Sequence, residues 1–107
     1  MRVFSEEKVP KPFGNYSFLD NLTEPIDIEI GSGTGHFAIA YCREHPQRSL
    51  VAIEKTSEKF RKCVANKEVV SELVPNLHLV HGNAVNWITH FTNDEQIENC
   101  FILYPNP

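Results

Sequence analysis

The sequence predicts an α/β fold, a mostly parallel sheet with only about four strands and helices in the connections. Short apolar, β-branched runs alternate with longer segments of helical spacing, and that regular alternation implies right-handed crossovers between parallel strands. One strand, "SLVAIE", is apolar almost throughout, as strands are when helices cover both faces of a sheet. The glycines and unusual polar residues collect where strands end, which is where open α/β sheets bind their ligands.

Residues 1–25 read as an N-terminal arm and 26–107 as the α/β unit. The arm segment "VPKPFGNYSFLDN" is either a lid or a strap across the sheet; Phe13, Tyr16, Phe18 and Leu19 offer apolar surface that favours the strap. "PIDIEI" puts Ile26, Ile28 and Ile30 on one face of a first strand. Asp27, a charge in a strand that should be covered, is expected at the strand's exposed beginning. From Gly35 to His45 the pattern suits a helix with Phe37, Ala40 and Tyr41 on one side, stopped by Pro46. "SLVAIE" follows as the second strand. Thr56 or Ser57 caps a longer helix, "SEKFRKCVANKEVVSEL", in which Phe60, Cys63, Val64 and Val70 recur near helical spacing. "NLHLV" is a third strand, "HGNA" a turn, "VNWITHF" a short helix and "ENCFILY" a fourth strand. The expected order is 3-2-1-4, with the apolar fourth strand at an uncovered edge that invites self-association.

Composition narrows the function classes. Hydrophobic residues at 41% and charged residues at 22% suit a globular domain and exclude a disordered chain. A formal net charge of -4 gives no general attraction for nucleic acid, so a polyanionic partner needs a local basic patch. Lys55, Lys59, Arg61, Lys62 and Lys67 offer one, but Glu54, Glu58 and Glu68 interleave them and a solvated helix face is the simpler reading. No apolar run approaches the ~20 residues of a membrane span, and the N-terminus lacks the apolar core of a signal peptide, so a cytoplasmic protein is expected. Cys42, Cys63 and Cys100 fit neither a disulfide framework nor a zinc site and are expected in the core. The five histidines lack ligand spacing, so no metal is expected.

The chemistry concentrates in "IDIEIGSGTGHF". Glycines at a strand-to-helix turn permit positive φ and let a ligand approach the backbone. A dinucleotide fingerprint needs GxGxxG, but the glycines fall at 31, 33 and 35, and no GK[ST] follows to make a Walker loop. A tight turn with no ligand is the bland alternative. Glu54 ends the second strand 21 residues beyond Gly33, where an acid accepts hydrogen bonds from both ribose hydroxyls of a nucleoside. By itself it would be a solvated charge pairing with Lys55 or Lys59.

The GxGxG spacing preceded by Glu29 resembles the first motif of class I S-adenosylmethionine-dependent methyltransferases. With "IEIGSGTGHFAIAYCREHPQRSLVAIEK", "NLHLVHGNA" and "FILYPNP", the chain resembles the tRNA (guanine-N7)-methyltransferase family from about Ile26 onward. The resemblance implies a Rossmann-like class I methyltransferase sheet, S-adenosyl-L-methionine as cofactor and tRNA as partner. It implies that Gly31, Gly33 and Gly35 make room for the methionine part, that Glu29 orients its ammonium directly or through water, and that Glu54 holds the ribose. Asn83 and Ala84 stand in the "GNA" turn where the family commonly has an acid that accepts from the adenine amino group; an Asn in a left-handed turn is the alternative. Tyr104 to Pro107 border the methyl-transfer opening, with Asn106 as the catalytic candidate where the family has an acid. A class I sheet has about seven strands, so a fragment or a shortened relative is expected.

Asn106-Pro107 also resembles the [D/N]PP[YF] motif of methyltransferases acting on amino nitrogens of bases or of glutamine, and Asn-Pro is equally a turn initiator. Three functions follow: a guanine-N7 tRNA methyltransferase, a methyltransferase for another nitrogen, and an inactive nucleoside-binding or assembly module.

Overall fold

The computed structural model describes residues 16–22, 24–93 and 95–102 of the chain. Four strands, β1 (Ile26–Ile30), β2 (Leu50–Glu54), β3 (Leu77–His81) and β4 (Ile97–Ile102), form one parallel sheet in the order β3-β2-β1-β4. Between them run α1 (His36–Glu44), α2 (Ser57–Val69) and α3 (Ala84–Phe91). The chain steps from β1 outward through β2 to β3, then crosses back to the other side of β1. That reversal opens a crevice at the carboxyl ends of the strands.

Alternation along β1 and β2 divides the core into two layers. On one face Ile26, Ile28, Val51, Ile53 and Val80 pack with Trp87 of α3; on the other Leu50, Ala52 and Leu77 pack with Ala38 and Cys42 of α1. The arm straps the first layer, with Tyr16 edge-on to Trp87 at 5.8 Å and Phe18 stacked on His78 at 4.5 Å. Phe13 lies outside the described residues.

Four expectations need correction. Ala40 is exposed; the small residues Ala38 and Cys42 instead let α1 settle onto β2, while Phe37 and Tyr41 lean sideways to Phe101 at 5.3 and 5.1 Å. The second helix ends at Val69 and tightens into a 3-10 turn over Ser71–Leu73, where Val70 N–H donates to the Lys67 carbonyl. Cys42 and Cys63 are buried but Cys100 is exposed, because it lies on the edge strand β4, which the other described elements leave largely uncovered.

Asp27 is not at an exposed beginning: it is 0% exposed. A register irregularity between Ile26 and Asp27 sets Asn99 of β4 opposite Asp27, and Asn99 Nδ2 donates to Asp27 Oδ1 at 2.9 Å. Arg48, in the loop before β2, donates from Nε at 3.0 Å and from its terminal nitrogen at 2.6 Å, and the Tyr41 hydroxyl also donates. Arg48 meets Glu98 as well, at 2.7 Å, and its loop is held by the Asn76 amide on the His45 and Arg48 carbonyls. Burial acts to raise the Asp27 carboxyl, but these donors overcome it and hold the group below its ordinary value.

Candidate functional site

The turn from β1 into α1 uses the left-handed region at alternate residues, with φ 75° at Gly31, 59° at Gly33 and 91° at Gly35. This backbone is costly for any residue with a Cβ. It lets Gly31 and Ser32 both donate N–H to the Ile53 carbonyl, at 2.9 and 3.1 Å, so the turn is stitched to the end of β2. Gly33 N–H then donates to Glu54 Oε1 at 2.8 Å, and Thr56 N–H donates to Oε2 at 2.8 Å. Glu54 is thus aimed at the glycine turn and only 5% exposed, which removes the reading of a solvated strand-end charge. Burial raises its carboxyl, but the Thr56 and Gly33 donors and the Lys59 charge outweigh burial and leave it below the ordinary value, ionised at neutral pH.

Beside Glu54 lies a cleft of about 530 Å³, walled by Ile30, Gly31 and Gly33 from the first turn, Glu54 and Lys59 from the second, and Asn83 and Ala84 from the third. That volume suits a small organic ligand. A Cβ at Gly31 or Gly33 meets no heavy atom within 4 Å, so both positions are open. Gly35 has a different reason: a Cβ there stands 2.5 Å from Cys63 Sγ, so this glycine lets α2 pack against the start of α1. It is not a wall of the cleft.

Asn83 corrects the left-handed alternative. Its φ of -83° and ψ of 126° are extended, and Oδ1 accepts from Asn86 N–H at 3.1 Å, capping α3. One lone pair of the amide oxygen is therefore already engaged. Glu29 is also not a cleft wall. It lies behind the glycine turn on the α1 side of the sheet, 1% exposed, and Oε1 meets no donor among the described residues. Burial, then the Glu54 charge, push its carboxyl up to about 7. Tyr104 and Asn106 lie outside the described residues.

Sequence reasoning missed Thr56 as the second clamp on Glu54 and the apolar rim of Val85 and Ile102, 54% and 67% exposed at the cleft. The signal for Thr56 was its place two residues after a strand-end acid. Of the basic residues, Lys55 and Lys59 line the cleft, Lys62 pairs with Glu58 at 3.3 Å and Lys67 Nζ donates to the Leu77 carbonyl at 2.6 Å. Among the described residues no three of His, Cys, Asp and Glu are grouped as a metal requires, and no helix is long and apolar enough to cross a membrane. An ionised acceptor between apolar walls suits a ligand that joins vicinal hydroxyls to a flat apolar ring.

A family model described as putative methyltransferase matches residues 23–107. A tRNA (guanine-N(7)-)-methyltransferase of Levilactobacillus brevis is 38% identical over 101 residues, covering 92% of this chain and 45% of the relative. One from Oceanobacillus iheyensis is 30% identical over 105 residues, covering 98% and 47%. The chain thus spans a little under half the length of these relatives. The fold is similar to that of a Salinibacter ruber RNA methyltransferase solved with S-adenosyl-L-homocysteine, at a TM-score of 0.56, 18% identity, and 91% and 62% coverage.

Proposed function

This chain belongs to the putative methyltransferase family, and on that premise we propose that it forms the S-adenosylmethionine-binding part of an enzyme that methylates N7 of guanine in tRNA. The observation that carries the reading is Glu54, an ionised carboxylate pinned by two backbone donors at the side of the cleft. The residues present fit such a cofactor: the open space at Gly31 and Gly33 admits an extended amino-acid tail, and the acceptor matches a ribose.

In this reading the remaining lone pairs of Glu54 accept from the two ribose hydroxyls. Gly31 and Gly33 leave space for the methionine part, while Ala84 and Asn83 border the base, with Asn83 Oδ1 shared between Asn86 N–H and the adenine amino group. When bound, the cofactor supplies a methyl group on a positively charged sulfur. Guanine N7 already offers an unprotonated lone pair, so the chain need not provide a strong base. Its task is alignment, which in well-oriented systems supplies about 7–11 kcal/mol. Tyr104 and Asn106 are proposed to border the transfer opening. The names of the relatives support tRNA as the substrate, and a cytoplasmic setting is proposed alongside it.

Calorimetry with S-adenosylhomocysteine tests the site. Glu54→Ala is expected to weaken binding roughly tenfold to a hundredfold, the worth of hydrogen bonds to an ionised acceptor; unchanged affinity refutes the ribose assignment. Labelled methyl transfer to unmodified tRNA tests the substrate, and label on an amino nitrogen favours the other-nitrogen enzymes. Edge strand β4, with Cys100 and Ile102 exposed, supports self-association, and a monomeric sedimentation profile at high micromolar concentration counts against it.

A further inference from the structure

Helix α2 reaches the glycine turn from behind at two places one helical turn apart. Cys63 Sγ fills the space beside Gly35, and Asn66, three residues on and half-buried, donates from Nδ2 to the Thr34 carbonyl at 2.9 Å. Thr34 stands between two left-handed glycines, so side-chain sterics do little to fix its peptide groups. Hydrogen bonds fix them instead, and they run in series. The peptide plane joining Thr34 to Gly35 takes the Asn66 amide on its carbonyl and donates its N–H to the Ser32 carbonyl at 3.0 Å. The plane joining Ser32 to Gly33 takes that donor on its carbonyl and gives its own N–H to Glu54 Oε1 at 2.8 Å. Each peptide is rigid, so turning one plane turns the donor at its far edge. Three hydrogen bonds and two planes thus join a side chain of α2 to the acid at the cleft. Bonds strung in this way also polarise one another.

We propose that Asn66 is a positioning residue for this site: it holds the Thr34–Gly35 plane so that Gly33 N–H stays aimed at Glu54, and so sets the orientation in which the carboxylate meets the ligand's hydroxyls. This rests on the functional reading above. The other oxygen of Glu54 needs no such help, because Thr56 N–H lies two residues along the same chain and reaches Oε2 at 2.8 Å. Nor do the first residues of the turn, since Gly31 and Ser32 donate directly to the Ile53 carbonyl of β2. Without Asn66 the Thr34 carbonyl loses its donor, and the flanking glycines let the plane rotate. The carboxylate is then held at Oε2 alone and swings. Since Thr56 is the N-cap of α2, one helix governs both clamps on the acid.

An amide proton donated to a carboxylate resonates downfield, so proton NMR of the chain reads each of these bonds separately. Asn66→Ala removes the donor, and Asn66→Asp keeps the size while offering only acceptors at neutral pH. In both, the Gly33 and Gly35 amide protons are expected to move upfield while those of Gly31, Ser32 and Thr56 stay in place. A role in stability alone would move all of them together or none. Calorimetry is expected to show S-adenosylhomocysteine bound about threefold to tenfold more weakly by both variants, the worth of one hydrogen bond. A Gly33 proton that stays put, or a turn displaced as a whole, overturns the proposal. So does an affinity unchanged within about twofold, or the failure of both variants to fold. Glu54→Ala binding as tightly as the wild type overturns the functional reading instead, whatever the Gly33 proton does.

Discussion

Asp27 and Glu29 are two residues apart on β1, point to the same face of the sheet and are both closed to water. Their company differs. At the amino end of the sheet, Asp27 accepts from Arg48, Tyr41 and Asn99, three residues brought from three elements, and Arg48 is itself shared with Glu98. At the carboxyl end, Glu29 has an oxygen that meets no donor among the described residues, and a neighbour of like charge. The same strand shows both how a buried acid is satisfied and how one is left wanting. The unsatisfied acid lies behind the glycine turn, at the end of the sheet where the cleft opens, and that is where a fold gives up stability for binding.

The sharpest break of the comparison is at the satisfied end. Asp27→Ala leaves Arg48 half-buried without its main partner and is expected to cost about 3–5 kcal/mol in urea unfolding; a loss under about 1 kcal/mol means the network is ornamental. The two acids should also give stability curves of opposite slope. Glu29 holds its proton more tightly folded than unfolded, so its contribution is intact below about pH 4.5 and is lost as pH rises through about 7, by on the order of 3 kcal/mol in total. Asp27, held below its ordinary value, contributes above about pH 4 and loses that contribution as pH falls through its folded value. Unfolding measured between about pH 4.5 and about pH 8 should show the alkaline decline in the wild type and lose it in Glu29→Gln.

Smaller effects separate the glycines. Gly35→Ala meets both a left-handed φ and Cys63 Sγ, and is expected to cost about 2 kcal/mol, part of it recovered by a second change, Cys63→Ala. Gly33→Ala faces open space and should cost about 1 kcal/mol while impairing ligand binding more than its stability suggests. Equal to that in stability, Asn83→Ala removes the cap on α3 for about 1 kcal/mol. If Gly33→Ala destabilises as much as Gly35→Ala, the division between a cleft glycine and a packing glycine is wrong.

The elements of this protein were legible because their causes are local. β-branched alternation makes β1, an unbroken apolar run makes β2, glycines force the turn and Pro46 follows α1, and each signal lies within a few residues of what it decides. Glu54 was legible for the same reason, as an acid at the end of a strand. What the sequence could not tell was which charges find partners. Arg48, Tyr41 and Asn99 stand 21, 14 and 72 positions from Asp27, and no local pattern marks them as one cluster. The register that sets Asn99 of β4 opposite Asp27, and the depth that strips water from Glu29, exist only once the chain is folded. Secondary structure and the place of Glu54 at a strand end come from short-range sterics and spacing; the satisfied charge of Asp27, the burial of Glu29 and the contact that explains Gly35 come from desolvation and proximity, which only the tertiary structure supplies.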